Sequence, residues 1–259
     1  MLTFLGSAAG DAGTVLLLHA FPLSAHMWEP QISALREAGY GVIAPNVYGF
    51  DGSPSKPGWR MDDYAAELCT LLDSLDCGRV TVAGLSMGGY QAFAFWRRHP
   101  ERTASLVLCD TRANADGPEA LAHRMEFRRA VEKKGAAEAA ERMVPNFFAR
   151  KSYDEKPGMV ARVREAILRQ PAADISEAMR AIAERPDSIG LLPAITCPTL
   201  FINGDADGVT PPITASDMHA RLPGSKLELL PDAGHLSNLE QPELFNRLLL
   251  EHLDRLART

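Results

Sequence analysis

Between Thr14 and Asp110 of this 259-residue chain, short unbroken apolar runs alternate with windows of helical periodicity, and nothing else in the sequence restricts the fold as strongly. TVLLLH, GVIAP, RVTVAG and TASLVLCD carry apolar side chains at consecutive positions rather than at every second one. A strand of that kind has no solvent face, so it belongs in a parallel sheet covered by helices on both sides. The intervening windows predict helices over about 27–38, 62–75 and 87–98, each the crossover of a βαβ unit. The fold class this implies is α/β, with a mostly parallel sheet flanked by helices.

The alternation stops between Thr111 and Pro193. No strand-like run occurs there, and stretches such as EALAHRMEFRRAVEKKG and PGMVARVREAILRQ have helical spacing. Strand patterns resume with PTLFIN and KLELLP, separated by a helix over about 214–221 and followed by a last helix over about 242–256. Residues 111–193 are therefore expected to form a helical cap on a core made of residues 1–110 and 194–259. A chain of this length approaches the size, roughly 250 to 300 residues, at which single cores stop growing. That agrees with one domain carrying an insertion.

Composition removes several classes of function. A net charge of −6 and a charged fraction of 23% leave no basic stripe for phosphate backbones, so nucleic acid is not an expected partner. No apolar run reaches the ~18 residues of a membrane span, and the first residues lack the basic start of a secretory signal. A cytoplasmic location is expected. The four cysteines, Cys69, Cys77, Cys109 and Cys197, are scattered and show no CxxC spacing, so reduced thiols are expected rather than disulfides or a metal site.

Gly84-Leu85-Ser86-Met87-Gly88 follows the strand RVTVA directly and opens a helix. This is the strand-turn-helix context of a G-x-S-x-G nucleophile elbow, in which small neighbours allow a serine to occupy a sharp, strained turn above the sheet. Ser86 is the expected nucleophile, and the Met87 amide at the helix start points toward developing negative charge. In a chain ordered serine, acid, histidine, the partners lie on loops after later strands. His235, in Asp232-Ala233-Gly234-His235 after KLELLP, is the expected general base, because neutral imidazole can take the serine proton near pH 7. Of the seven histidines, His99, His123, His219 and His252 fall on helices or helix ends, while His19 and His26 are expected to be structural or substrate-facing. For the acid, Asp205 and Asp207 both follow PTLFIN, and Asp110 ends an earlier strand. The strand TVLLL ends in His19-Ala20-Phe21-Pro22, where the Phe21 amide is the expected second oxyanion donor. Pro22 has no N–H to offer.

HAFP, GLSMGG, NGDADGVTPP and AGHLSNLEQP, in that order, resemble the oxyanion loop, elbow, acid loop and histidine loop of the α/β-hydrolase family across nearly the whole chain. The resemblance implies an eight-stranded, mostly parallel sheet with a helical cap after the sixth strand, and it carries the acid role onto Asp207. Within the family the chain is similar to small carboxylesterases, enol-lactone hydrolases and cofactor-free haloperoxidases. The Phe21–Pro22 pair is similar to the aromatic-proline loop of the last group. The sequence departs from the family pattern at Ala20, where many relatives have glycine. It departs again at Asn46 and Tyr48, where relatives often carry an aspartate and an arginine that form an ion pair. The segment before Thr14 also leaves little room for the usual first hairpin.

The function these features imply is hydrolysis of small carboxylic esters or lactones through an acyl-enzyme, with no metal or organic cofactor. Peroxide in place of water would give perhydrolase chemistry, and a non-catalytic small-ligand receptor is the alternative outside enzymes. Trp28, Met125, Phe147 and Phe148 are candidate pocket residues, with packing of the cap as the competing role.

Overall fold

The computed structural model describes residues 1–256. Seven strands are found among them: β1 (Phe4–Ser7), β2 (Thr14–Leu18), β3 (Gly41–Pro45), β4 (Val80–Leu85), β5 (Thr103–Cys109), β6 (Thr199–Gly204) and β7 (Lys226–Leu230). They form one sheet in the order β1-β3-β2-β4-β5-β6-β7. Only β1 runs antiparallel, against β3. The helices between strands are α1 (Glu29–Glu37), α2 (Met61–Ser74), α3 (Met87–Arg98), α9 (Pro212–Arg221) and α11 (Pro242–Leu256), with the short α10 (Ser237–Glu240) just before the last. β2, β3, β4 and β6 are buried along almost their whole length, as consecutive apolar residues require when helices cover both faces.

The sheet has seven strands where the resemblance implied eight. Residues 1–13 supply β1 and then a turn, tied down where Ala12 N–H donates to the Gly39 carbonyl and Gly41 N–H to that of Gly13. That turn takes up the residues a first hairpin would need. One strand fewer also means that the helical insertion follows the fifth strand of this chain.

No strand lies between Cys109 and Thr199. This segment folds into α4 (Pro118–Lys134), α5 (Ala136–Met143), α6 (Arg150–Glu155), α7 (Pro157–Leu168) and α8 (Ala172–Ala183), with α4 packed on α8 and α5 on α7. Its two ends are drawn together. The Arg185 guanidinium makes two 2.8 Å bonds to the Asp116 carboxylate, Ser188 N–H donates to the Ala113 carbonyl at 2.8 Å, and Ala115 N–H donates to Asp187 Oδ2 at 3.0 Å. Arg124 also pairs with Asp116, whose carboxyl is held well below the usual range because these two arginines outweigh its desolvation. The Arg185 guanidinium lies 4.2 Å from the centre of the Tyr90 ring on α3, so the neck of the insertion rests on the core.

The chain turns one way from β2 to β3 and the other way from β4 to β5, so the order reverses between the adjacent strands β2 and β4. Open α/β sheets bind ligands beyond the carboxyl ends of the strands at such a reversal. Here that position falls between the loop that starts at His19 and the turn at Ser86. Among the described residues, no helix is long and apolar enough to cross a membrane, and all four cysteines are free thiols.

Candidate active site

Ser86 sits between β4 and α3 with φ 56° and ψ −111°, a conformation that non-glycine residues rarely adopt. Its surroundings fix it there. Ser86 N–H donates to the Cys109 carbonyl at 2.9 Å, and its carbonyl accepts from Gly89 N–H at 2.9 Å and Thr111 Oγ at 2.8 Å. The glycines around it are required by close approach: a Cβ on Gly84 would lie 2.2 Å from the Gly88 carbonyl oxygen, and one on Gly88 would lie 2.1 Å from that of Leu18. The strand, turn and helix can meet only without those side chains, and the turn lifts the serine hydroxyl clear of the sheet. Ser86 keeps partial exposure while its neighbours are buried.

Three loops converge on that hydroxyl. Ser86 Oγ and His235 Nε2 are 2.9 Å apart, and His235 Nδ1 and Asp207 Oδ2 are 2.9 Å apart. Asp207 Oδ1 accepts the main-chain N–H groups of Val209 at 2.7 Å and Thr210 at 2.9 Å, while the Thr210 hydroxyl donates to Oδ2 at 2.6 Å. Burial alone would raise this carboxyl. The positive charge available at His235 and the hydrogen bonds outweigh burial, and Asp207 is held below the ordinary carboxylate range. A carboxylate acceptor at Nδ1 puts the ring proton there and leaves the Nε2 lone pair facing Ser86.

The other acidic candidates lie elsewhere. Asp205 is exposed on its loop. Asp110 is fully buried at the end of β5, where Oδ1 accepts Gly204 N–H at 2.8 Å and Oδ2 lies 2.5 Å from the Ser237 hydroxyl. It braces the acid loop against the histidine loop, and burial together with the nearby Asp207 charge pushes its carboxyl well above the usual range.

The main-chain N–H groups of Phe21 and Met87 donate to no other group among the described residues. Met87 opens α3, so its amide has no helical partner. The Phe21–Pro22 bond is cis. His19 is a buried brace rather than a ligand: Nδ1–H donates to the Ala20 carbonyl at 2.9 Å, Nε2 accepts Val47 N–H at 3.0 Å, and desolvation lowers its pKa to about 4. His26 is half exposed beside Glu29. Asn46 and Tyr48 stand where the family pattern has an ion pair, and they do not bond each other. Asn46 accepts Ala25 N–H at 2.7 Å and donates to the Thr3 hydroxyl at 3.0 Å, and Tyr48 packs edge-on against Tyr64 and tilted against Trp59.

The four pocket candidates separate. Phe147 lies against the His235 ring, 5.9 Å between centroids at 21°, and Phe148 meets Phe147 and Tyr153 edge-on. Trp28 is fully buried against Phe245, between α1 and α11, and Met125 points outward at 44% exposure. The residue of α4 that reaches the Phe21 loop is Phe127, at 6.0 Å between ring centroids. A cleft of about 360 Å³ runs between α7 and the residues after Pro22 and is lined by Leu23, Met27, Met159, Val163 and Leu239. Ser86, Asp207 and His235 do not line it. Thr210 and Phe127 were not legible as site residues, and Asp110, weighed as an acid, instead bonds Gly204 N–H and the Ser237 hydroxyl. The one sequence trace of the first is its place three residues past Asp207 in the acid loop. Among the described residues, no group of three or more His, Cys, Asp and Glu side chains is gathered to hold a metal ion.

A family model described as alpha/beta hydrolase fold matches residues 13–242. A thermophilic esterase from Thermogutta terrifontis, solved with malate bound, superposes with a TM-score of 0.94 at 38% identity over 98% of this chain and 93% of that one. The 3-oxoadipate enol-lactonase 1 of Acinetobacter baylyi is 28% identical over 219 residues, 85% of this chain and 80% of its own. A protein of Synechocystis sp. named as a non-heme chloroperoxidase is 29% identical over 264 residues, 94% and 92% of the two chains. A family match over so much of the length, on a parallel sheet carrying its serine at a strained turn after the fourth strand, means that the chain belongs to the alpha/beta hydrolase fold family.

Proposed function

We propose that the protein hydrolyses small carboxylic esters or lactones, with Ser86 as nucleophile, His235 as general base and acid, and Asp207 holding the imidazole. The observation that carries this is the unbroken run of hydrogen bonds from Ser86 Oγ through His235 to Asp207, 2.9 Å at each step. His235 Nε2 takes the serine proton as Oγ attacks the substrate carbonyl carbon. The carbonyl oxygen becomes an anion, and the Phe21 N–H on the loop after β2 and the Met87 N–H at the start of α3 stabilise it. Collapse of the tetrahedral intermediate breaks the bond to the alkoxy oxygen, which receives the proton from His235. In a lactone that alcohol stays tethered to the acyl group. Water then gives its proton to His235, attacks the acyl-enzyme and releases the carboxylic acid, restoring Ser86.

The named esterase and enol-lactonase relatives support this substrate class. Residues 111–193 act as the cap, and their Phe127 and Phe147 cover the site from above. A fluorophosphonate probe is expected to label wild-type protein at Ser86 alone, and short p-nitrophenyl esters or small lactones are expected to turn over and to slow labelling by competition. Labelling elsewhere, or no turnover across a panel graded by acyl size, would reject the proposal and leave a ligand-holding role for the pocket.

A perhydrolase activity of the same serine is the second reading, favoured by the Phe21–Pro22 loop beside Ser86 and by the relative named as a chloroperoxidase. Here peroxide attacks the acyl-enzyme in place of water. Formation of peracetic acid from acetate and hydrogen peroxide tests it, and no detectable peracid at high protein concentration would exclude it.

A further inference from the structure

Glu240 takes no part in the chemistry above, yet its carboxylate joins the two loops that enclose the imidazole. It closes α10 and is fully buried. Oε1 accepts the main-chain N–H of Gly234 at 2.5 Å, immediately before His235. Oε2 accepts the main-chain N–H of Ala149 at 2.9 Å and the hydroxyl of Ser152 at 2.5 Å, both in the helical insertion. The seam between these loops is tight. Leu236 N–H donates to the Phe147 carbonyl at 3.1 Å, a Cβ on Gly234 would lie 2.5 Å from the Phe148 carbonyl carbon, and the Phe147 ring lies on the imidazole. Lys156 also donates to the Glu240 carbonyl at 2.5 Å.

A buried carboxylate is a costly filler, and an apolar side chain of similar volume stabilises a core at least as well. What the carboxylate adds is a pair of oxygens that can satisfy three donors from two separate segments at once. Burial raises the Glu240 pKa, and the three donors offset part of that rise. Ser86 lies on the sheet, fixed by β4 and α3, whereas His235 lies on a loop whose position over the serine depends on what holds the loop.

We propose that Glu240 is a positioning residue that fastens the His235 loop to the Phe147–Ser152 segment of the insertion, so that cap and imidazole keep one register over Ser86. This rests on the assignment of His235 as general base.

The test uses full-length Glu240→Gln, which keeps size but offers one acceptor oxygen and turns an NH₂ toward a donor, and Ser152→Ala, which removes one donor on the insertion side only. Each is assayed below its own melting transition. In Glu240→Gln, kcat for a short p-nitrophenyl ester should fall by about tenfold to a hundredfold, the scale of an ångström-sized misplacement of a reacting group, with KM changed by less than about threefold. The rate of fluorophosphonate labelling of Ser86 should fall in parallel. Ser152→Ala should show the same split at about threefold or more. A purely structural role would lower the melting temperature and leave both readouts unmoved. If a folded variant of either kind keeps kcat and labelling rate within about twofold of wild type, the positioning role is overturned while the hydrolase assignment stands. Absence of labelling in the wild type would overturn both.

Discussion

Replacing Ser86 with alanine is expected to lower kcat for a short p-nitrophenyl ester by about four to six orders of magnitude, the range seen when a nucleophile that acts as one unit with its base is removed. The fold should persist. Alanine keeps the Cβ that φ 56° already tolerates, and the main-chain bonds to Cys109, Gly89 and Thr111 do not use the hydroxyl. The change in stability should therefore stay within about 1 kcal/mol. Circular dichroism and a melting curve on the same sample separate loss of chemistry from loss of structure, and most of the activity surviving would remove Ser86 from the mechanism.

Asp207→Asn tests the second hydrogen bond with equal force, because the direction of the new amide is dictated by its neighbours. The position of Oδ1 faces two main-chain N–H groups, from Val209 and Thr210, so the amide oxygen must settle there. The NH₂ then turns toward His235 Nδ1, which has to present a lone pair, and the ring proton moves to Nε2 facing Ser86. An imidazole in that tautomer cannot accept the serine proton, and a fall in kcat of about 10⁴ follows. Activity within tenfold of wild type would show that the imidazole does not need this partner.

A third effect concerns stability on the acid side of neutrality. His19 and His252 are buried, and desolvation lowers each to about 4 from the ordinary 6.5. The unfolded chain therefore binds protons at these positions over a pH range in which the folded chain does not. Stability from each is fully present above pH 6.5 and is lost as pH falls toward 4. At one pH unit per 1.36 kcal/mol, the loss between pH 7 and 5 is about 2 kcal/mol for each histidine. Asp110 and Glu240, whose carboxyls are raised, act in the opposite direction, because the folded state holds their protons more tightly than the unfolded chain does. The clean measurement is thus a difference. Urea unfolding of His19→Gln and His252→Gln should show that the gap to wild type at pH 7 shrinks by about 2 kcal/mol at pH 5. A gap independent of pH would mean that the histidine titrates alike in the folded and unfolded chain.

The parts of the fold that could be read in advance were those set by local periodicity. α3 spans 87–98 and α11 begins at Pro242, where the sequence pattern places them, because a glycine-flanked turn and a proline mark their starts. The stretch 27–38 instead splits into a 3₁₀ turn at Ala25–Trp28 and α1, since Pro30 is accommodated only in a helix's first turn. For the site, Ser86 and His235 stood out because glycine beside a chemically capable residue at a strand end has few other causes. Choosing Asp207 over Asp205 and Asp110 rested on the family resemblance, because all three follow strands and their surroundings differ only in the folded chain: one faces the imidazole, one faces solvent and one ties loops together. Trp28 and Met125 show the limit from the other side. An aromatic ring or a thioether at helical spacing has the same pattern whether it faces a pocket, the core or water, and only packing decides.

The neck at the base of the helical insertion has a consequence for how such a chain diversifies. Asp116 and Arg185, with the Ala113–Ser188 bond beneath them, close a long excursion at its root, as a drawstring closes a bag. Whatever sequence fills the excursion, its two ends leave the sheet from a single fixed point above Tyr90. Helices above that neck can be lengthened or redecorated without the strands on either side registering the change, except over Phe147–Ser152, which is tied to the loop that carries His235.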